Sequence, residues 1–365
     1  MIEAMLYETV LGTRRVLCNL CARRCVISED EAGFCRVRKN VGGRLFTLVY
    51  GEASAEYVDT IEKKSLFHFN PGSNIYSIGT VSCNFRCKFC INHSLSLKDT
   101  VVDGESLPPE RVVELARRGG CQGISYTYNE PTVFFEYAYD TAKLARKEGL
   151  FNIFVTNGYM TPEAVETIAP YLDAASVNFK GGGDPDFYRS FSQVPDVNPI
   201  HGCLKELKRH GIHIEVTNLV VPLYGDSIER IGELATWIRE NLGSDIPLHL
   251  LGFRHQCMMD NVPSISPNEL RKMCLVATER GLQYVYLHGY PTLQTNTYCP
   301  SCNELLIERS KDTSLIVTRW RLLPDDTCSN CGQRVAISGH HQSRKARPVP
   351  QSAHAIAHGY WGLEG

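Results

Sequence analysis

Eleven cysteines fall into three groups whose spacing suits metal chemistry. The segment VSCNFRCKFCIN, Val81 to Asn92, carries Cys83, Cys87 and Cys90. Cys18, Cys21, Cys25 and Cys35 precede it, and Cys299, Cys302, Cys328 and Cys331 follow it. The last group consists of two C-x-x-C knuckles separated by 25 residues, which together present four thiolates to one tetrahedral ion. That spacing predicts a closed zinc site. The first group, C-x₂-C-x₃-C-x₉-C, is also a full quartet and is read as a structural site for zinc or a cluster. The middle group has only three thiolates. A zinc ion there would need a fourth ligand such as His68 or His93, whereas a [4Fe–4S] cluster would keep one iron open for chemistry. Cys121, Cys203, Cys257 and Cys274 stand alone and are expected to be buried small hydrophobes.

The elements that must position these cysteines follow a regular alternation. Short apolar, β-branched runs, IYSIGTV, GISYTY, NIFVTN, AASVNF, HIEVTNLVV, LHLLGF and YVYLH, are separated by amphipathic segments, several of which begin at Ser, Thr, Asn or Pro and end at Gly. Strand-helix alternation predicts a parallel sheet, and six or seven units favour a partial (β/α)6-7, TIM-like barrel with its chemistry at the C-terminal strand ends. The three-cysteine segment directly follows the first such strand. The expected organisation is a Cys-rich segment over 1–74, the barrel over 75–297, a zinc-ribbon-like four-cysteine extension over 298–337 and an irregular tail over 338–365.

Composition narrows the class of protein. Charged residues make up 21% and the formal net charge is −2, so no broad positive field for nucleic acid is written into the chain. The opening residues MIEAMLYETVLGTRR show no basic segment followed by an apolar run, and no apolar stretch approaches the roughly 18 residues that span a bilayer. With so many cysteines arranged as metal quartets, the expectation is a cytoplasmic protein with no membrane partner.

C-x₃-C-x₂-C with Phe89 before the last cysteine, at the end of a first barrel strand, resembles the radical S-adenosylmethionine (radical SAM) superfamily. The segments VDTIEKKSLFHFNPGS, SYTYNEPTVFFEY, FVTNGYMTPEA and NTYCPSC narrow the resemblance to the radical SAM component of the AmmeMemoRadiSam system, a relative of the pyruvate formate-lyase activating enzymes. The resemblance implies a [4Fe–4S] cluster on Cys83, Cys87 and Cys90 whose open iron takes S-adenosylmethionine. It implies reductive cleavage to a 5′-deoxyadenosyl radical that abstracts hydrogen from a protein, small-molecule or nucleic-acid-base substrate. An electron donor such as flavodoxin or ferredoxin, a protein partner and an oxidoreductase activity come with it.

The same resemblance assigns cofactor-binding positions to Phe89, Asn129, Glu130, Thr156, Asn157, Asn178, Lys180 and Thr217, with Glu130 facing the cofactor's amino group. The chain departs from the family at Ile91, where relatives carry Gln, and at Asn178, where they carry Asp; Val155 stands where an acidic residue helps hold a cation. In the late-strand loops, His249, His255 and Cys257 are expected to mark the substrate side. The departures leave a second reading open, a catalytically inactive metal-binding scaffold or interaction protein.

Overall fold

The apolar runs form one sheet in a computed structural model, which describes residues 1–98, 104–255, 257–288, 294–311 and 315–339. Its strands are β1 (Ala55–Thr60), β2 (Asn74–Gly79), β3 (Gly123–Tyr126), β4 (Phe151–Thr156), β5 (Ala174–Lys180), β6 (His213–Val220), β7 (Leu248–Gly252) and β8 (Val285–His288). Spatial order equals chain order, and β2 through β8 are parallel. All of β3 is buried, as expected where a parallel sheet is covered on both faces.

Each crossover carries helix. These are α1 (Pro109–Arg118), α2 (Phe135–Lys147), α3 (Pro162–Ile168), α4 (Pro185–Ser192) and α5 (Asn198–Arg209) between β5 and β6, α6 (Ile228–Asn241) and α7 (Pro267–Glu279). Thr161, Asp184 and Ser227 accept backbone N–H groups at the starts of α3, α4 and α6, and Ser266 forms a capping box with Glu269 at α7. Such caps satisfy donors that a helix start leaves orphaned. The inner faces of these helices join the sheet in the main core, through residues such as Val112, Ala138, Val165, Leu204 and Leu234.

One feature departs from the sequence expectation. β1, placed with the N-terminal segment, pairs antiparallel with β2, Ala55 opposite Gly79, and so extends the sheet. The helix α4 ends in Phe191 and Ser192, whose carbonyls meet the cysteine loop. The tail from 340 onward lies outside the described residues.

The N-terminal segment folds as short strands against the C-terminal ends of β3 and β4. Ala22 N–H donates to Tyr159 O at 2.9 Å, and Arg38 donates to both carboxylate oxygens of Glu136 on α2 at 2.8 and 3.1 Å. Glu136 also accepts Met5 N–H at 2.7 Å, so both charges are buried with their hydrogen bonds largely met. At the other end of the chain, strands Leu305–Lys311 and Leu315–Trp320 form a hairpin that packs with Phe67, Tyr284 and Tyr286. No helix among the described residues is long and apolar enough to cross a membrane.

Candidate active site

The cysteine loop leaves β2 at a position that only glycine tolerates. A Cβ on Gly79 would lie 2.5 Å from Thr127 O and 2.9 Å from Tyr128 Cβ, so the bare backbone lets β2 approach the end of β3. The next turn is clamped by one side chain. Asn129 accepts from Thr80 N–H at 3.0 Å through Oδ1, and its Nδ2 donates toward Thr80 Oγ1, Val81 O and Ser82 O at 3.0, 3.1 and 2.9 Å. Arg86 turns back onto Cys83 O at 2.6 Å and reaches Phe34 O at 2.8 Å. Arg86 and Lys88 donate their backbone N–H groups to Ser192 O and Phe191 O, which docks the loop on the end of α4.

The three thiols are close to other named side chains. Cys87 Sγ is 3.3 Å from Ser192 Oγ, and Cys83 Sγ lies 3.9 Å from Asn157 Nδ2. Burial raises all three thiols, Cys90 to about 12, and neighbouring cysteines push the same way, as does Glu130 for Cys83. Lys180 opposes this at Cys87. Its own ammonium is lowered by burial and supported by Cys87, Cys83, Glu130 and Cys90, so the cation sits amid the site. A three-thiol set, Cys87 buried and Cys83 and Cys90 half-buried, beside an ammonium fits an iron–sulfur cluster, whose irons take thiolates and whose sulfurs carry negative charge.

Glu130 ties two strand ends together. Its carboxylate accepts Thr132 N–H (3.1 Å), Thr132 Oγ1 (2.5 Å), Thr156 Oγ1 (2.7 Å) and Asn157 N–H (2.7 Å). Burial raises this carboxyl and the four donors hold it down. Asn157 in turn donates to Asn84 Oδ1 at 2.7 Å. Asn178 uses its amide to donate to Thr156 O and Ser176 O at 3.3 and 3.2 Å and accepts from Thr217 Oγ1 at 2.6 Å. A carboxylate could not donate to those two carbonyls, which gives the Asp-to-Asn departure a local physical basis. Lys180 Nζ donates to Asn178 O at 2.7 Å.

The structure therefore gathers Cys83, Cys87, Cys90, Glu130, Thr156, Asn157, Asn178, Lys180 and Thr217 at successive strand ends. Phe89 is buried and stacked on Phe187 at 5.4 Å, and Ile91 is exposed. His249 lies within β7 instead of in the loop that follows it, 2.7 Å from Glu215 and 2.8 Å from His288, at the register level of Thr217 on the neighbouring strand. His68 binds Ala336 O and Tyr286 OH, and His93 Nδ1 sits by Cys90 O. His255 Nδ1 binds Val262 O. Cys121, Cys203 and Cys274 are buried as expected, but Cys257 is half-buried within electrostatic reach of Cys87 and Cys90, where Met258 N–H reaches Lys88 O at 2.9 Å. Ser192 and Tyr188, whose hydroxyl accepts Lys180 N–H, carry no sequence signal of a site role.

The C-terminal sulfurs converge. Cys299 and Cys331 are 3.6 Å apart, Cys302 and Cys328 are 3.7 Å apart, and all four lie within 4.8 Å of one another. Among the described residues this is the one set of three or more Cys, His or carboxylate groups drawn so close.

The model of the radical SAM superfamily matches residues 77–238, from within β2 through most of α6. An uncharacterised protein of Methanocaldococcus jannaschii is 39% identical over 92% of this chain and 99% of its own length. The chain belongs to the radical SAM superfamily. Membership implies an enzyme that uses an iron–sulfur cluster and S-adenosylmethionine. The pyruvate formate-lyase-activating enzyme of Clostridium pasteurianum is 25% identical over 47% of this radical SAM chain and 73% of that one. A radical SAM methyltransferase from Sphaerobacter thermophilus overlaps 60% of this chain and 67% of its own at a TM-score of 0.47 and 14% identity.

Proposed function

We propose that this radical SAM protein is the activating-enzyme-like component of an AmmeMemoRadiSam system, with Cys83, Cys87 and Cys90 holding a [4Fe–4S] cluster at the mouth of a partial barrel. The observation that supports this most is the clamp on the three-cysteine loop, in which Asn129 from the end of β3 fixes the turn before Cys83. When bound, such a cluster supplies the electron that cleaves S-adenosylmethionine to methionine and a 5′-deoxyadenosyl radical.

The chain's own part is to hold, orient and shelter. Lys180 offsets the negative charge of the thiolates and of Glu130. Glu130 locks Thr156 and Asn157 beside Cys83, and the Asn178–Thr217 pair carries that edge of the site into β6. Phe89 fixes the loop through its stack on Phe187. Zinc at Cys299, Cys302, Cys328 and Cys331 would fasten the C-terminal hairpin. A flavodoxin- or ferredoxin-type protein would supply the electron in a cytoplasmic setting.

Anaerobic protein reconstituted with iron and sulfide, given dithionite and S-adenosylmethionine, should release 5′-deoxyadenosine. Cys87→Ala should abolish the product while leaving zinc content unchanged. Undiminished product from Cys87→Ala would overturn the assignment.

A further inference from the structure

The N-terminal quartet differs physically from the C-terminal one. Cys18, Cys21, Cys25 and Cys35 all line a single cavity, together with Arg38 and Asn84. A closed tetrahedral zinc site with Zn–S near 2.3 Å brings its sulfurs to about 3.8 Å from one another and leaves no void between them. The C-terminal set matches that spacing, with pairs at 3.6 and 3.7 Å. The N-terminal sulfurs are absent from the close-set groups among the described residues, and their cavity keeps about 20 Å³ free for a water-sized centre.

Two side chains on that wall carry buried donors without acceptors. Arg38 Nε and Asn84 Nδ2 have no hydrogen-bond partner, and the two residues are 2% and 1% exposed. Such groups are costly to bury unpaired and so point to an acceptor in the cavity. Cysteine thiolates on either metal accept such bonds, but an iron–sulfur cluster adds inorganic sulfides as acceptors in the space between them and spreads its thiolates over separate irons, as the wider sulfur spacing and the cavity require.

We propose that the N-terminal quartet is a second iron–sulfur site, with Cys18, Cys21, Cys25 and Cys35 as ligands and Arg38 and Asn84 donating to its sulfurs. It adjoins the first. Asn84 turns Oδ1 toward Asn157 Nδ2 and lies 3.7 Å from Cys83 Sγ through the same atom, and Ser82 Oγ donates to Cys35 O. The two cysteine sites therefore share one wall.

The test counts metal and does not depend on turnover. Full-length Cys83→Ala/Cys87→Ala/Cys90→Ala protein, reconstituted anaerobically with ferrous iron and sulfide, should keep about two to four irons per chain with matching acid-labile sulfide. It should also keep one zinc. Finding no iron and two zincs would overturn the proposal. A second variant, Cys18→Ser/Cys35→Ser in the otherwise native chain, decides the matter if the triple variant fails to fold. It should lose that share of iron with zinc unchanged; full iron with one zinc lost would refute the site. Either outcome leaves the reading of the Cys83 loop to its own assay.

Discussion

Substituting Asn129→Asp probes how the cysteine loop is held with minimal change of shape. The amide nitrogen becomes a second carboxylate oxygen, so Thr80 Oγ1, Val81 O and Ser82 O lose their shared donor and face a negative charge at about the same place. Leaving a buried acceptor unpaired costs about 1–3 kcal/mol. Two carbonyls and a hydroxyl that can rotate away give a total of about 3 kcal/mol. At about 1.4 kcal/mol per tenfold, that is more than about a hundredfold against the ordered loop. The substitution keeps the shape of the side chain and every apolar contact of the core, so the chain should still fold. Metal analysis after reconstitution of Asn129→Asp in the Cys18→Ser/Cys35→Ser background should show iron retained at micromolar protein falling to a small fraction, with thermal unfolding only a few degrees lower. Full iron retention with an unchanged midpoint would refute the claim that Asn129 organises the loop.

Three further outcomes follow from buried groups. Removing one partner of the Arg38–Glu136 pair, as in Glu136→Gln, should destabilise by about 3–5 kcal/mol in denaturant unfolding, while Arg38→Met/Glu136→Leu should recover most of that. His68 is lowered by burial to about 4, from an ordinary 6.5, with Glu215 opposing. The fold prefers neutral His68, so its contribution is intact above pH 6.5 and is lost as pH falls from 6.5 toward 4, by about 3 kcal/mol at most; His68→Gln should flatten stability against pH in that window. Cys302→Ser should release one zinc per chain and loosen the C-terminal hairpin to proteolysis, with iron content unchanged.

The cysteine loop and the strands that present it were legible because they rest on local signals. Ligand spacing, β-branched runs and Gly or Pro punctuation all act over a few residues, and each of the seven parallel strands lies where its apolar run stands. The partners of Glu130 were not legible in the same way. Its four donors come from Thr132 and from Thr156 and Asn157 more than twenty positions away, and only the parallel pairing of β3 with β4 brings those ends together. Asn129 shows the same limit, since its side chain serves the loop 47 to 49 positions earlier. β1 was missed because an edge strand pairing antiparallel breaks the strand-helix rhythm that marks the others. The bonds of His249 to Glu215 and His288 were not legible either, since they depend on the register of β6, β7 and β8. Nor does spacing separate the two quartets; only the fold shows that the C-terminal sulfurs converge within 4.8 Å while the N-terminal ones line a cavity.

The central claim is that the three-cysteine loop leaves one iron open to S-adenosylmethionine. Electron paramagnetic resonance of the reduced protein, with and without S-adenosylmethionine isotopically labelled at its amino nitrogen, tests this most directly. The account predicts a shifted cluster signal with hyperfine coupling to the label, absent from Cys83→Ala/Cys87→Ala/Cys90→Ala protein. A reduced-cluster signal that ignores the added S-adenosylmethionine, or a response that survives in the triple variant, would contradict it.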